Sequence, residues 1–335
     1  MIITKTPLRI SFFGGGTDYP KWFKEHGGAV LSTSIDKYAY LYVQRLLPFF
    51  PYKTKVSWSR IEEVNAIDEI VHPSVRETLR FLNSDSKLSI HYNSDIPARS
   101  GMGSSSSFTV GFLHALYGLN GITPDKNRLA KEAIHIEQNL IKENVGSQDQ
   151  IAAAFGGLNK IEFNRDGSFT VTPINLDRER IEKLQEHTML FFTGLSRTAS
   201  EVVVEQIKNI PDKTKELHTM REMVDEAILI LKSTGDWIAE FGKLLHKGWE
   251  LKRKLSSKVS NNEIDGFYEQ ALRAGALGGK LLGAGGGGFL LIYARPEDQK
   301  RIKETLSHLL YVPFSFENEG SQIIYKHEKK HQLSR

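Results

Sequence analysis

The stretch SDIPARSGMGSSSSFTVGFLHALYGL, Ser94 to Leu119, brings together residues able to hold a phosphate. Two glycines, Gly101 and Gly103, and four consecutive serines, Ser104 to Ser107, stand directly ahead of an apolar, helix-like run. Glycine and serine lower helix propensity and bring little apolar area. A flexible loop is one reading of that composition. The other is an anion cradle: glycine lets the backbone approach a phosphate, and a helix start supplies free N–H groups and the positive end of the dipole. Serine hydroxyls at that point could also reach a metal ion carried by the phosphates.

Carboxylates extend the pattern. Asp18 in GGGTDYP and Asp149 in GSQDQIAAAFGG each sit beside glycine at the edge of an element, where a side chain can point into a cleft. Capping or an Asx turn accounts for most such aspartates. Asp149 suits a cap poorly, because apolar residues follow almost at once. Glu137 lies inside a helical segment and on its own reads as a solvated face residue. The run GAGGGG, Gly283–Gly288, matches G-x-G-x-x-G letter for letter, but the strand-like Phe289–Tyr293 follows where a dinucleotide site needs a helix. A tight strand-to-strand connection, or backbone approaching another loop or a ligand, fits that context better. A Walker A pattern is absent, since Lys280 is followed by leucine. HEKKH, His327–His331, matches the zinc protease signature but has no apolar helix around it and no third ligand, so it reads as a tail. A glycine-serine cradle, a carboxylate on the following helix, another at the next helix start and a second glycine segment are the parts of a Mg-nucleotide phosphoryl-transfer site. Such transfer needs phosphates held, a metal on oxygen ligands and a group orienting the acceptor hydroxyl.

These residues must be positioned by a chain of 335 residues, long enough for a substantial core and suggestive of two domains. Composition is ordinary, with 40% hydrophobic and 25% charged residues, and the net charge is +4. Lysine and arginine are spread along the chain, which argues against nucleic acid as partner. Absence of cysteine excludes disulfides and thiolate metal sites. No run approaches the roughly 18 apolar residues that span a bilayer. The amino terminus MIITKTPLRISFF looks like a strand, not a leader. A soluble, cytoplasmic protein with no membrane partner is the expectation.

Strands are predicted over Ile2–Thr4, Leu8–Phe13, Ala29–Ser34 and Tyr38–Arg45, with the glycine-rich Gly14–Gly28 irregular between them. A helix over Pro73–Leu82 presents Val75, Leu79 and Leu82 on one face. The next helix start reads as Thr123 N-cap with Pro124 at the first position, running to about Glu143; Gln148–Phe155 follows. Long helices are expected over 200–209, 213–233, 237–255 and 262–274, then GALGGKLLGAGGGGFLLIYA as strand and glycine, a helix from Pro296 to Leu309 and a strand near Ser321–Lys326. Strands then helices, then helices then strands, give two α+β domains, 1–180 and 187–330, joined near 177–187.

Over essentially the whole chain the sequence resembles the GHMP kinase superfamily of galactokinase, homoserine, mevalonate and phosphomevalonate kinases. The central motif P-x-x-x-G-L-G-S-S-A appears as Pro97-Ala-Arg-Ser-Gly101-Met102-Gly103-Ser104-Ser105-Ser106. The first motif is TPLRISFFGGGTDYP, Thr6 to Pro20, whose ending resembles the sugar-binding TDY of galactokinases; the third is GGKLLGAGGGGFLL, Gly278 to Leu291. The resemblance implies a two-domain α+β fold, with a ribosomal-protein-like N-terminal domain and a ferredoxin-like C-terminal αβ domain carrying inserted helices. It implies ATP as donor and Mg2+ held by Ser105 and Glu137. The separation from Glu137 to Asp149 is about one residue longer than in the mevalonate kinase pattern.

By the same resemblance Asp149 orients or deprotonates the acceptor, although aspartate is a weak base and positioning matters as much. Arg9 stands where many relatives carry a lysine near the reacting phosphate, and an arginine can make a bidentate contact but exchanges no proton. Gly16, Thr17, Asp18, Gly285 and Gly286 fall at the implied sugar site. RISFFGGGTDYP, HPSVRE, GSQDQIAAAFGG and FTGLSRTAS further resemble the heptose kinases of bacterial surface-polysaccharide synthesis, which phosphorylate the anomeric hydroxyl of a heptose 7-phosphate on the route to GDP-heptose. A sugar phosphate needs a cation for its distal phosphate. Arg197 is the first candidate, with Arg99 and Lys280 beside it. A kinase of neutral fucose or galactose and a non-catalytic sugar sensor are the alternatives, Trp58 is a stacking candidate for adenine, and a homodimer is left open.

Overall fold

In a computed structural model the protein is described over residues 1–84, 87–98, 100–195 and 199–327. Two long antiparallel strands open the chain, β1 (Ile2–Phe13) and β2 (Gly28–Arg45). They absorb the four short strands predicted from sequence. A register shift at Pro7/Leu8 marks where β1 looked broken, because proline gives no N–H to the ladder. Burial alternates over the first four residues of β1 and is complete over the last eight, where the second half of the chain covers the outer face. The segment read as irregular between them contains a short helix, α1 (Pro20–His26), started by Pro20 and held by buried Trp22 and Phe23.

The chain continues through β3 (Thr54–Ser57), β4 (Ile61–Val64), α2 (Pro73–Phe81), β5 (Leu88–Ser94) and the central helix α3 (Ser104–Leu119). Then come α4 (Lys126–His135), α5 (Gln148–Phe155), β6 (Leu158–Phe163) and β7 (Phe169–Pro173). The start of α4 differs from the expectation. Asp125, not Thr123, is the N-cap, its carboxylate accepting from the Arg128 N–H at 2.7 Å, so the helix begins after Pro124. Its last turn widens into a π-helical segment over Ile136–Leu140, closed by Ile141 N–H on the Ile136 carbonyl.

The second half carries α6 (Arg178–Glu186), β8 (Thr188–Phe192), α7 (Ala199–Asn209), α8 (Thr214–Lys232), α9 (Trp237–Arg253) and α10 (Asn262–Arg273). It ends with β9 (Ala276–Leu281), β10 (Phe289–Ala294), α11 (Pro296–Thr305), β11 (Leu310–Tyr311), β12 (Phe316–Glu317) and β13 (Gln322–Lys326). The join expected near 177–187 is mostly α6, capped by Asp177. β11, β8, β10 and β9 form one sheet, and the larger sheet runs β13-β1-β2-β5-β3-β4, with β6 and β12 pairing with β2 and β7 with β6. The last two strands of the expected 187–330 unit therefore complete the sheet built by the amino-terminal half. Helices cover both sheets, and the fold is α+β as expected.

One apolar cluster spans the two halves. Phe12 and Phe13 of β1 meet Phe241 of α9 edge-on, at ring centroid distances of 5.7 and 5.3 Å, and the same cluster takes in Leu291 and Tyr293 of β10 and Met102 of the serine loop. The seam between the sheets is thus part of the core, and Met102 anchors the serine loop in it. Among the described residues no helix is long and apolar enough to cross a membrane.

Candidate active site

The glycine-serine loop closes onto the start of α3. Gly101 and Gly103 take positive φ values of 80° and 78°, and Gly103 is the N-cap, so the helix begins at Ser104 with no side chain blocking its first N–H groups. Buried Met102 anchors the loop in the core, and its carbonyl accepts the Arg9 N–H at 3.2 Å. Pro97 is exposed at the loop's entry. Gly101 packs directly on the second glycine segment: a Cβ there would lie 2.7 Å from the Leu282 carbonyl, and one on Gly283 would lie 2.4 Å from the Gly101 Cα. Gly283–Gly288 joins antiparallel β9 to β10, as its sequence context indicated.

Asp149, in the first turn of α5, reaches this junction. Its Oδ1 accepts from Arg9 Nε at 2.8 Å and lies 2.7 Å from a second guanidinium nitrogen, while the third donates to the Gly101 carbonyl at 2.8 Å. One guanidinium therefore ties the carboxylate to the glycine-serine loop. The other oxygen, Oδ2, faces Gly103, where an added Cβ would come within 3.2 Å. Asp18 is buried, accepting the Gly16 N–H on Oδ1 and the Gln148 amide on Oδ2, both at 2.9 Å. Burial raises its pKa above the ordinary value, and Asp149 adds to that rise.

Not every expected sugar residue faces an open site. The Thr17 hydroxyl donates to the Gly14 and Ala29 carbonyls and accepts from the Ala29 N–H, so it holds the loop. Gly16 faces Leu217 and Leu255. Gly285 and Gly286 turn their backbones to Val259, whose carbonyl accepts the Gly286 N–H at 2.9 Å. Lys280 is buried with its ammonium on the Phe12 carbonyl at 2.9 Å, inside the seam and not placed to receive a distal phosphate. Arg99 and Arg197 lie outside the described residues. Trp58 is no isolated strand residue: its ring meets His72, which stacks on Phe108 of α3, and Arg60 covers it at 4.9 Å.

Ser106 donates its hydroxyl to Glu137 Oε2, at 2.8 Å, while Ser105, the serine expected at the metal, is exposed. Neighbouring helical residues point about 100° apart, so only one can face Glu137. Glu137 is completely buried, and it sits in the π-helical segment, where one extra residue per turn takes up the longer separation from Asp149. Its Oε1 has no hydrogen-bond partner, and Ser11 Oγ, Ser100 Oγ, Gln148 Oε1 and Gln150 Oε1 are likewise buried and unpartnered around these loops. Such atoms are costly unless a ligand completes them. A hydroxyl and a carboxylate oxygen are the hard donors magnesium takes, so the residues fit the ion.

Burial pushes the Glu137 pKa up to about 7, against opposing hydrogen bonds from Ser106 and Gln150. The fold thus favours the protonated acid. In chelated protein this group's contribution is fully present below about pH 4.5 and is lost as pH rises through about 7, a change of about 3 kcal/mol. Denaturant midpoints across pH 5–8 should show that fall in the wild type and not in Glu137→Gln. An equal slope in both would remove Glu137 as its source.

Lys252 was not evident from motifs. Phe241, Leu245 and Trp249 mark the buried stripe of α9, and Lys252 continues it three residues on. A lysine on an apolar stripe was the available signal. It is buried, its ammonium donating to the Gly283 carbonyl and, at 3.4 Å, to that of Leu281. Burial and Arg9 lower its pKa to about 8, with Asp18 and Asp149 opposing.

Comparison with known proteins bears on this arrangement. The model of the GHMP kinases N terminal domain matches residues 69–157, and that of the GHMP kinases C terminal matches 234–312. A D-glycero-alpha-D-manno-heptose 7-phosphate kinase of Campylobacter jejuni is 30% identical, covering 95% of this chain and 97% of its own. An L-fucokinase/L-fucose-1-P guanylyltransferase of Bacteroides fragilis is 25% identical over 90% of this chain, which spans 36% of that longer protein. The crystal structure of a D-glycero-D-manno-heptose 1-phosphate kinase from Bacteroides thetaiotaomicron shares the fold, with a TM-score of 0.79 at 23% identity over 97% of this chain and all of that one.

Proposed function

The chain belongs to the GHMP kinase family and is a phosphotransferase acting on a sugar, and on that premise we propose that its acceptor is D-glycero-D-manno-heptose 7-phosphate. The product is the 1,7-bisphosphate, formed at the anomeric hydroxyl, on a cytoplasmic route to GDP-heptose and surface polysaccharide. The observation that carries this reading is the full-length similarity to the Campylobacter jejuni heptose 7-phosphate kinase.

ATP is the donor that GHMP kinases use. The free N–H groups at the start of α3, with the Gly101–Gly103 backbone, would hold its phosphates. Magnesium, held by Glu137 and Ser106, would neutralise phosphate charge. Asp149, fixed by Arg9 beside Gly103, accepts a hydrogen bond from the acceptor hydroxyl and takes its proton as the new O–P bond forms and the bond to the leaving diphosphate breaks. Asp18 accepts from a sugar hydroxyl. Arg197 and Arg99 are the candidates for the distal phosphate.

ADP release from ATP and Mg2+ against heptose 7-phosphate and phosphate-free mannose, fucose and galactose tests the assignment. Turnover confined to the 7-phosphate is expected. Turnover of a free sugar would overturn the substrate and favour the neutral-sugar reading, which the buried Asp18 of GGTDYP and the fucokinase similarity support. No turnover with ATP bound would favour a sensor.

A further inference from the structure

Two buried cations bond the same backbone junction, and only one of them belongs to the motifs. Arg9 donates to the Gly101 carbonyl, and Lys252 donates to the Gly283 carbonyl. Gly101 and Gly283 are the residues at which the serine loop and the second glycine segment touch. The two heads therefore reach one backbone junction, Arg9 from β1 and Lys252 from α9. Asp149, bonded to Arg9, is near enough to Lys252 to act on its ionisation, as is Asp18.

The partners of Lys252 do not balance its charge. Its hydrogen bonds go to the carbonyls of Gly283 and Leu281, and among the described residues no carboxylate forms an ion pair with it. Burying an ammonium without a paired anion is strongly unfavourable, and carbonyl dipoles offset only part of that. Lys280 is buried as well, but its head is turned away to the Phe12 carbonyl, and burial with Lys252 and Arg9 nearby holds its pKa well below the ordinary lysine value. Arg9 is paired with Asp149, so among the described residues Lys252 is the cation left without a bonded carboxylate at the junction where a phosphoryl group would sit.

We propose that Lys252 is a catalytic residue whose ammonium contacts the non-bridging oxygens of the phosphoryl group in transfer, opposite Arg9. This rests on the kinase reading above but not on the identity of the sugar. In the transfer the bond from phosphorus to the oxygen of the leaving diphosphate breaks and one to the acceptor oxygen forms, and the acceptor proton passes to Asp149. Charge spread over the three equatorial oxygens is then shared between one cation from each half of the fold. Lys252 could move from its two carbonyls to those oxygens by side-chain rotation, since its stem is unbranched.

The test compares Lys252→Met, which keeps stem length, and Lys252→Arg with the wild type. The first readout is binding of ADP alone and of ADP with Mg2+ and aluminium fluoride, a mimic of the planar phosphoryl group. Lys252→Met should bind ADP within about threefold of wild type and lose about a hundredfold in affinity for the fluoride complex. With any sugar the wild type turns over, kcat should fall by a similar factor and the KM for the sugar should stay. Lys252→Arg should recover part of both. Equal losses for ADP and for the fluoride complex would overturn the proposal and leave Lys252 a brace between α9 and the glycine segment. Unchanged affinity for the fluoride complex in a folded Lys252→Met protein would overturn it as well. Should Lys252→Met not fold, a folded Lys252→Arg with wild-type affinity for the fluoride complex supports the charge role, and one with equal losses on both ligands overturns it. A wild type that accepts none of the sugars, yet tightens on ADP with fluoride through Lys252, would sink the substrate assignment and leave this inference standing.

Discussion

Asp149→Asn is expected to lose about a thousandfold in kcat while ATP affinity changes little. The substitution preserves size but removes the charge that Arg9 holds and the acceptor for the hydroxyl proton. An amide would have to turn its oxygen to Arg9 and present its NH2 to the Gly103 side, where the acceptor hydroxyl needs a hydrogen-bond acceptor. The α3 start and the Gly101–Gly103 backbone, proposed above to hold the nucleotide, are left in place by the change. Single-turnover phosphoryl transfer and ATP titration, measured separately, check this. Turnover within tenfold of wild type would take Asp149 out of the chemistry.

Arg9→Met is expected to lower kcat/KM by about a hundredfold or more, because one guanidinium makes the bonds to Asp149 and to Gly101. Arg9→Lys should recover only part, since a single ammonium cannot span both acceptors in that geometry. The pair acts as a unit, so Arg9→Met/Asp149→Asn should be scarcely worse than the more damaging single change. Losses that multiply in the double variant would show that the two residues act independently. Kinetics of the three proteins with one sugar decide it.

Much of this site was legible as a string of residues. The order of glycines and serines at 101–107 allowed a cradle beside a flexible loop, because backbone N–H groups at a helix start do not depend on distant contacts, and the family resemblance favoured the cradle. Rejection of a dinucleotide site at Gly283–Gly288 needed only the strand that follows, and β10 is there. The start of α4 was misplaced because Thr123-Pro124 and Asp125 are competing signals within three residues, and the side chain that bonds the N–H three residues on determines the cap. The π-helical turn was visible only as an extra residue between Glu137 and Asp149.

The identity of the serine facing Glu137 was not legible, since Ser105 and Ser106 differ only in helical phase. Nor was the meeting of Arg9 with Asp149, 140 residues apart, or of Lys252 with Gly283. The sequence by itself determined most of the long helices and strands, because caps, glycine conformations and apolar periodicity are local properties, and its three motifs in order carried the resemblance to the family. Tertiary structure alone decided which charges share one low-dielectric junction. Burial and Coulomb interaction depend on distances across the seam between β1 and α9, and no spacing along the chain encodes them.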